Sequence, residues 1–108
     1  GEFYGIAVDV KIATTANMNE RLAAEIFQIV REGLSNIKRH TNSADARIRI
    51  ASLNGDIVVD IENDSSDGET QSTFTPRSIT ERALALGGRV SVNVSDGRFT
   101  TVSVVIPM

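Results

Sequence analysis

Hydrophobic residues recur along this chain at two periods, and the switches between them mark out its elements. Residues 4–12, YGIAVDVKI, alternate loosely and are rich in β-branched side chains, which predicts an edge strand. Residues 13–17, ATTAN, read as a loop, after which Asn17 or Asn19 can cap a helix running to about His40. That helix repeats Leu22, Ala23, Ile26, Phe27, Ile29, Val30, Leu34 and Ile37 in steps of three and four, one stripe for a core. Residues 46–53 alternate again, with Ile48 and Ile50 on one face, and Asn54-Gly55 follows. Both central residues of a type I′ turn need positive φ, so this pair predicts a hairpin into a partner strand over 56–62.

The polar stretch 63–74, NDSSDGETQSTF, predicts a mobile loop. Thr75-Pro76 then suits an N-cap with proline at the first helical position. The helix PRSITERALAL should bury Ile79, Ala83 and Leu86 and stop at Gly87-Gly88. Two strands, RVSVNV and TTVSVVIP, flank a turn at Asp96-Gly97. The order β-α-β-β-α-β-β, without internal repeat, packs most economically as an α+β two-layer sandwich: a mixed, mostly antiparallel sheet with helices on one face.

Composition narrows the function classes. The 108 residues suit one domain with a single core, and 41% hydrophobic with 23% charged residues is ordinary for a globular protein. A net charge of −3 argues against a nucleic-acid surface, and no apolar run approaches the roughly 20 residues of a membrane span. The start, GEFYGIAVDV, lacks a basic region followed by an apolar one, so no signal peptide is expected. Gly1 suggests a cut or tagged start, with natural neighbours beyond it. Zero cysteines exclude disulfides and thiolate metal sites and fit a reducing cytoplasm, and the single histidine, His40, excludes a multi-histidine site.

The long helix carries the sharpest chemical signal. Gln28, Glu32, Asn36 and His40 recur every fourth residue in a polar line beside the apolar stripe. A solvated face is the plain reading of such a line, but its proximity to Ile29, Leu34 and Ile37 places part of it at the core's border. Gly33 inside a helix costs roughly 1 kcal/mol against alanine, which implies that something packs closely there. An acid and an amide one turn apart are hard oxygen donors suited to Mg2+, which takes few protein ligands beside phosphates and waters. Lys38 and Arg39 can reach phosphate or simply suit the helix dipole.

The segment FQIVREGLSNIKRHTNSADARI resembles the N-box of the GHKL ATPase superfamily, most closely in sensor histidine kinases of the nitrate-sensor type, whose pattern is roughly aromatic-R-I-V-Q-E-A-L-T-N-x-x-K/R-H. Glu32, Asn36, Arg39 and His40 match position by position, whereas Gln28 departs from the usual arginine. The likeness continues through the hairpin, through ITERALALGG (similar to the family's MRERAALLGG) and into TTVSVVIP, from about residue 20 to the end. It implies a Bergerat-type ATP-binding fold, with Asn36 ligating Mg2+ and Glu32 beside the metal and positioning or activating the attacking group. Arg39 and His40 would approach phosphate.

The nucleotide loop departs from the pattern. The family's Asp-x-Gly-x-Gly box, whose aspartate accepts a hydrogen bond from the adenine amino group, falls on Asn63, Ser65 and Asp67. Asn63 can accept that bond through its carbonyl; Asp64, with Gly68 supplying flexibility after a one-residue shift, is the alternative. The second glycine box reads Thr75-Pro76-Arg77-Ser78-Ile79, so Thr75, Ser78 and Arg77 would receive phosphate at the helix start. Thr75 reads equally well as a helix cap alone. Phe99 replaces the glycine before Thr100 of the family's final Gly-Thr pair. Glycines let backbone approach phosphate, so their loss bears directly on binding.

The resemblance implies a single catalytic domain spanning 1–108 of a longer chain. It would bind Mg-ATP in the cytoplasm and pass the γ-phosphate to a histidine on a dimerisation domain outside this sequence, within a circuit ending at a response regulator. Neither nucleic acid nor membrane contact is expected of it. Two other readings stand beside this one: a degenerate domain that only docks on a kinase or response regulator, and an anti-sigma-factor kinase acting on a partner's serine.

Overall fold

The structure, a computed structural model, describes residues 2–3, 5–13, 20–40, 45–64, 77–95 and 99–107. The elements are β1 (Glu2–Phe3), β2 (Ile6–Ala13), α1 (Glu20–His40), β3 (Asp45–Leu53), β4 (Asp56–Asp64), α2 (Arg77–Ala85), β5 (Arg89–Ser95) and β6 (Phe99–Pro107). The strands form one six-stranded sheet in the order β1-β2-β3-β4-β6-β5. Only β2 and β3 pair in parallel; the other four pairings are antiparallel. The expected α+β sandwich with a mixed, mostly antiparallel sheet is therefore the architecture observed.

The first predicted strand, β2, is an edge over most of its length: only Ile6 and Ala7 have an outer neighbour, and from Val8 onward no described strand pairs with its outer side. The chain reverses at Gly5, where φ is +88°, so that β1 pairs with β2 through Glu2↔Ala7 and Phe3↔Ile6. The β3–β4 hairpin turns at Asn54 and Gly55 with φ of 54° and 84°, the two positive values a type I′ turn demands. β4 outruns its expected end by two residues, because both its neighbours continue. Asn63 pairs with Ala46 on one side and Thr100 on the other, and Asp64 pairs with Phe99. Asn63 and Asp64 thus belong to the strand rather than to a loop.

α1 and α2 lie against one face of the sheet. Ile29 of α1 and Ile79 of α2 are fully enclosed over Ile48, Ile57, Val59, Ile61, Val104 and Ile106. Each such side chain contributes about 1.5–3 kcal/mol of burial free energy. Ile26, Gly33 and Ile37 complete the seam of α1. Phe27 does not join it: the ring is 64% exposed, because one residue past Ile26 is roughly 100° further round the helix. Ala23 is likewise exposed, and Leu86 is half-buried against the core. α2 ends where the sequence stops it. Gly88 N–H donates to Ala83 O at 2.7 Å and Gly87 N–H to Leu84 O at 3.0 Å, a Schellman closure with Gly87 at φ +80°.

The opposite face of the sheet is polar. Arg47 and Glu62, cross-strand neighbours, pair at 2.7 Å, and Ser103 donates to Asp60 across the next strand pair at 2.6 Å. Among the described residues, no helix is long and apolar enough to cross a membrane.

Candidate functional site

Chemistry-bearing residues form two separate clusters.

The first cluster lies between the helices. Glu32 on α1 has a side chain only 24% exposed, and its Oε2 accepts a hydrogen bond from Arg82 Nε of α2 at 2.8 Å. Arg82 Nη1 donates at 3.3 Å to Oε1 of Glu25, two turns earlier on α1. Burial pushes the Glu32 carboxyl up, but the nearby Ser78 hydroxyl and the bonding and charge of Arg82 together outweigh it, holding the group below the usual glutamate range. Arg82 in turn is held more firmly protonated, chiefly by its hydrogen bond to Glu32. Oε1 of Glu32 is buried and meets no donor at full hydrogen-bonding geometry among the described residues, with the Ser78 hydroxyl the nearby group that acts on the carboxylate. Asn36, one turn further along α1, is half-buried. Gly33 sits between them because a Cβ there would come within 2.5 Å of Ile61 Cδ1, so the helix rests on β4 at the point where Glu32 is presented. Close packing at Gly33 was the sequence expectation, and Ile61 is what packs.

The second cluster lies at the strand ends. Asn63 continues the buried face of Ile57, Val59 and Ile61 and is only 6% exposed. Thr100, its cross-strand partner, is half-buried beside it. A cavity of about 560 Å³ opens at these strand ends; Val8, Ala46 and Asn63 border it from the helix-covered face, but Asp9, Arg47, Glu62, Asp64 and Phe99 line it from the polar face, and none of the described lining residues belongs to α1 or α2. The Phe99 ring lies under the Arg47 guanidinium, 5.7 Å from Cζ to the ring centroid. Phe99 therefore adds an aromatic wall where a glycine would leave backbone.

The other expected residues are more dispersed. Arg39 is exposed on the last turn of α1, and His40 is the last residue of that helix. Arg77 is 91% exposed and pairs with Glu81 of its own helix at 3.4 Å. Gly68 and Thr75 lie outside the described residues. Arg82 and Glu25 escaped the sequence reading. The available signal was Arg82's position, three residues after Ile79 and four after Ser78, which sets a charge on the margin of the apolar stripe of α2.

The donor set fits magnesium rather than a metal that demands several protein ligands. Among the described residues no group of three or more His, Cys, Asp or Glu side chains could hold an ion. The Glu32 carboxylate and the Asn36 amide are oxygen donors one turn apart, and Glu32 Oε1 is buried with no hydrogen-bond partner among the described residues.

No family profile matches this chain. Its sequence is 31% identical over 103 residues to the signal transduction histidine-protein kinase/phosphatase UhpB of Salmonella typhimurium, covering 93% of this chain and 20% of that protein. It is 31% identical over 91 residues to the sensor histidine kinase ComP of Bacillus subtilis, covering 78% of this chain and 12% of ComP. The chain thus spans a fifth or less of the length of these relatives. The ATP-binding domain of PrrB from Mycobacterium tuberculosis superposes with a TM-score of 0.76 at 18% identity, over 97% of this chain and 82% of that one. The histidine kinase domain of the Erythrobacter litoralis EL346 blue-light activated kinase superposes with a TM-score of 0.70 at 23% identity, over 97% and 56% of the two chains. The fold is that of histidine-kinase ATP-binding domains, and the sequence is homologous to sensor histidine kinases.

Proposed function

We infer that this chain, homologous to sensor histidine kinases and built on their ATP-binding fold, is the catalytic domain of a two-component sensor kinase of the nitrate-sensor type. It binds Mg-ATP and donates the γ-phosphoryl group to a histidine on a separate dimerisation domain, from which a response regulator is charged. The domain works in the cytoplasm.

The observation that carries this reading is the Glu32 carboxylate. Ser78 and Arg82 hold it below the usual glutamate range, one oxygen is held by Arg82, and the other, buried, has no hydrogen-bond partner among the described residues. A buried acceptor without a donor costs about 1–3 kcal/mol, a penalty that a cation or an approaching N–H removes. Magnesium, when bound, would neutralise phosphate charge, with Asn36 and Glu32 as its protein donors. Glu32 would also orient the attacking imidazole. Asn63, on the helix-covered face of β4 with Thr100 across the strand pair, would accept from the adenine amino group; Asp64, the alternative, faces the other side of the sheet. Arg39, His40, Arg77 and Ser78, with Thr75 and Gly68, would face the phosphates. Phosphoryl transfer depends mainly on such positioning and charge neutralisation, so the isolated domain should bind nucleotide yet transfer little.

Calorimetric titration of ADP with magnesium tests the reading. The wild-type chain should bind in the micromolar-to-millimolar range, and Asn36→Ala should weaken magnesium-dependent binding at least about tenfold, or roughly 1.4 kcal/mol. No binding at millimolar nucleotide would overturn it and leave a docking module in its place.

A further inference from the structure

An edge strand presents a row of backbone N–H and C=O groups, and proteins guard such rows with charges, proline, bulges or a covering element. On β2 the cover is short: β1 pairs with Ile6 and Ala7, and from Asp9 to Ala13 the outer side meets no described strand. The inner side of the same residues is fixed by parallel pairing with β3, in a register that runs without a bulge. No proline interrupts it. Its two charges, Asp9 and Lys11, are exposed, opposite in sign and on one face, and neither has an ion-pair partner among the described residues. Lys11 instead stands beside Arg49 of β3, while Arg47, beside Asp9, is engaged by Glu62. On the other face, Val10 and Ile12 are 51% and 64% exposed, although they continue the line of buried Ile6 and Val8.

We propose that the Asp9–Ile12 edge of β2 is an interaction surface for a second copy of this chain, the two β2 strands pairing antiparallel about a two-fold axis at Val10. The strand's own sequence selects that register. Centred on Val10, the pairing sets Asp9 of each copy opposite the partner's Lys11, which makes two ion pairs by symmetry. The partner's Asp9 also relieves the like-charge contact between Lys11 and Arg49. On the apolar face Val10 meets the partner's Val10, and Ile12 comes beside the partner's Val8. The seam ends there, because Glu2 already takes the edge opposite Ala7. A slip of one residue sets Val10 against Lys11, and a slip of two sets Asp9 or Lys11 against itself. Charges placed to guard the edge would repel a copy in every register; these match one. Five residues per strand bury well under the roughly 1,000 Å² of a stable interface, so the dissociation constant is on the order of 0.1 mM. Nucleotide binding plays no part in this contact.

Sedimentation equilibrium of the 108-residue chain, taken up to about 1 mM, should show association that stops at the dimer, since a two-fold seam closes on itself. Asp9→Lys and Lys11→Asp should each weaken it at least about tenfold, because symmetry sets two like-charge pairs face to face. Mixing the two variants should restore association as a heterodimer, with both lysines of one copy facing both aspartates of the other. The exchange variant, Asp9→Lys with Lys11→Asp, should recover it alone. Amide hydrogen exchange should slow with rising concentration at alternate residues of Asp9–Ile12 and not on the other strands. Lys11→Gln, which removes the ion pairs without adding repulsion, should weaken the dimer less and serves if a reversal variant does not fold. A chain that stays monomeric at about 1 mM would overturn the proposal. So would assembly that grows past the dimer, or reversals that have no effect or are not rescued by mixing.

Discussion

Asn63 shows how much one atom can change at a buried position. Its side chain is enclosed at the end of β4, in line with Ile57, Val59 and Ile61 on the face that the helices cover. A carboxylate there can only accept a hydrogen bond, which suits the exocyclic amino group of adenine and repels the carbonyl oxygen of guanine. An amide carries both an acceptor and donors, so turning it over reverses its preference. The chain should therefore discriminate weakly between the two purines, and Asn63→Asp should sharpen the preference for ATP over GTP by about 1–3 kcal/mol, the worth of a good base contact. Competition of the two nucleotides against a fluorescent ADP analogue reads this directly, with thermal unfolding run alongside because the new charge is buried. An unchanged ATP-to-GTP ratio would move the base contact to Asp64 or elsewhere.

At the scale of elements, two glycines without positive φ do different work. A Cβ at Gly33 would meet the flexible end of Ile61 at 2.5 Å, whereas one at Gly88 would meet the backbone oxygen of Val105 at 2.1 Å. Gly33→Ala gains about 1 kcal/mol in helix propensity and loses about 1–3 kcal/mol to overpacking, so a small net destabilisation is expected. Gly88→Ala gains nothing of the kind, and β6 cannot yield as a side chain can. Its cost should reach or exceed the top of that range, and chemical denaturation of both variants should rank them so. The same contrast explains what was legible in the sequence. Gly33, the Asn54-Gly55 turn and the Gly87 stop each announce a local backbone need, and the periodicity of Ile26, Ile29 and Ile37 announces the buried face. Phe27 shared that spacing loosely enough to be misassigned. Register across strands, which draws Asn63 and Asp64 into β4, and the Arg82 bridge that joins α2 to α1 both depend on pairings between distant segments. No local pattern encodes those.

For the whole molecule, the helices are fastened to the sheet by apolar contact and to each other by a polar tie whose strength depends on pH. Glu32 titrates below the usual glutamate value of 4.5, with burial acting against the shift and Ser78 and Arg82 producing it. A depressed folded-state pKa means that the carboxylate's contribution is complete above the unfolded value and is lost as pH falls through the folded one. Arg82→Gln removes both the hydrogen bond and the charge of Arg82 and leaves burial, the largest single influence, opposed only by Ser78, so a charged Glu32 becomes a liability that protonation relieves. The variant should then be less stable than the wild type at neutral pH, with the gap narrowing on acidification: first above 4.5, as the variant's Glu32 takes up its proton, then below 4.5, as the wild type loses the carboxylate's contribution. Urea unfolding of both proteins at neutral and at acidic pH measures the gap at each end. A gap that stays constant would mean that Arg82 supports the fold through the packing of its stem against the helices rather than through the charge of Glu32.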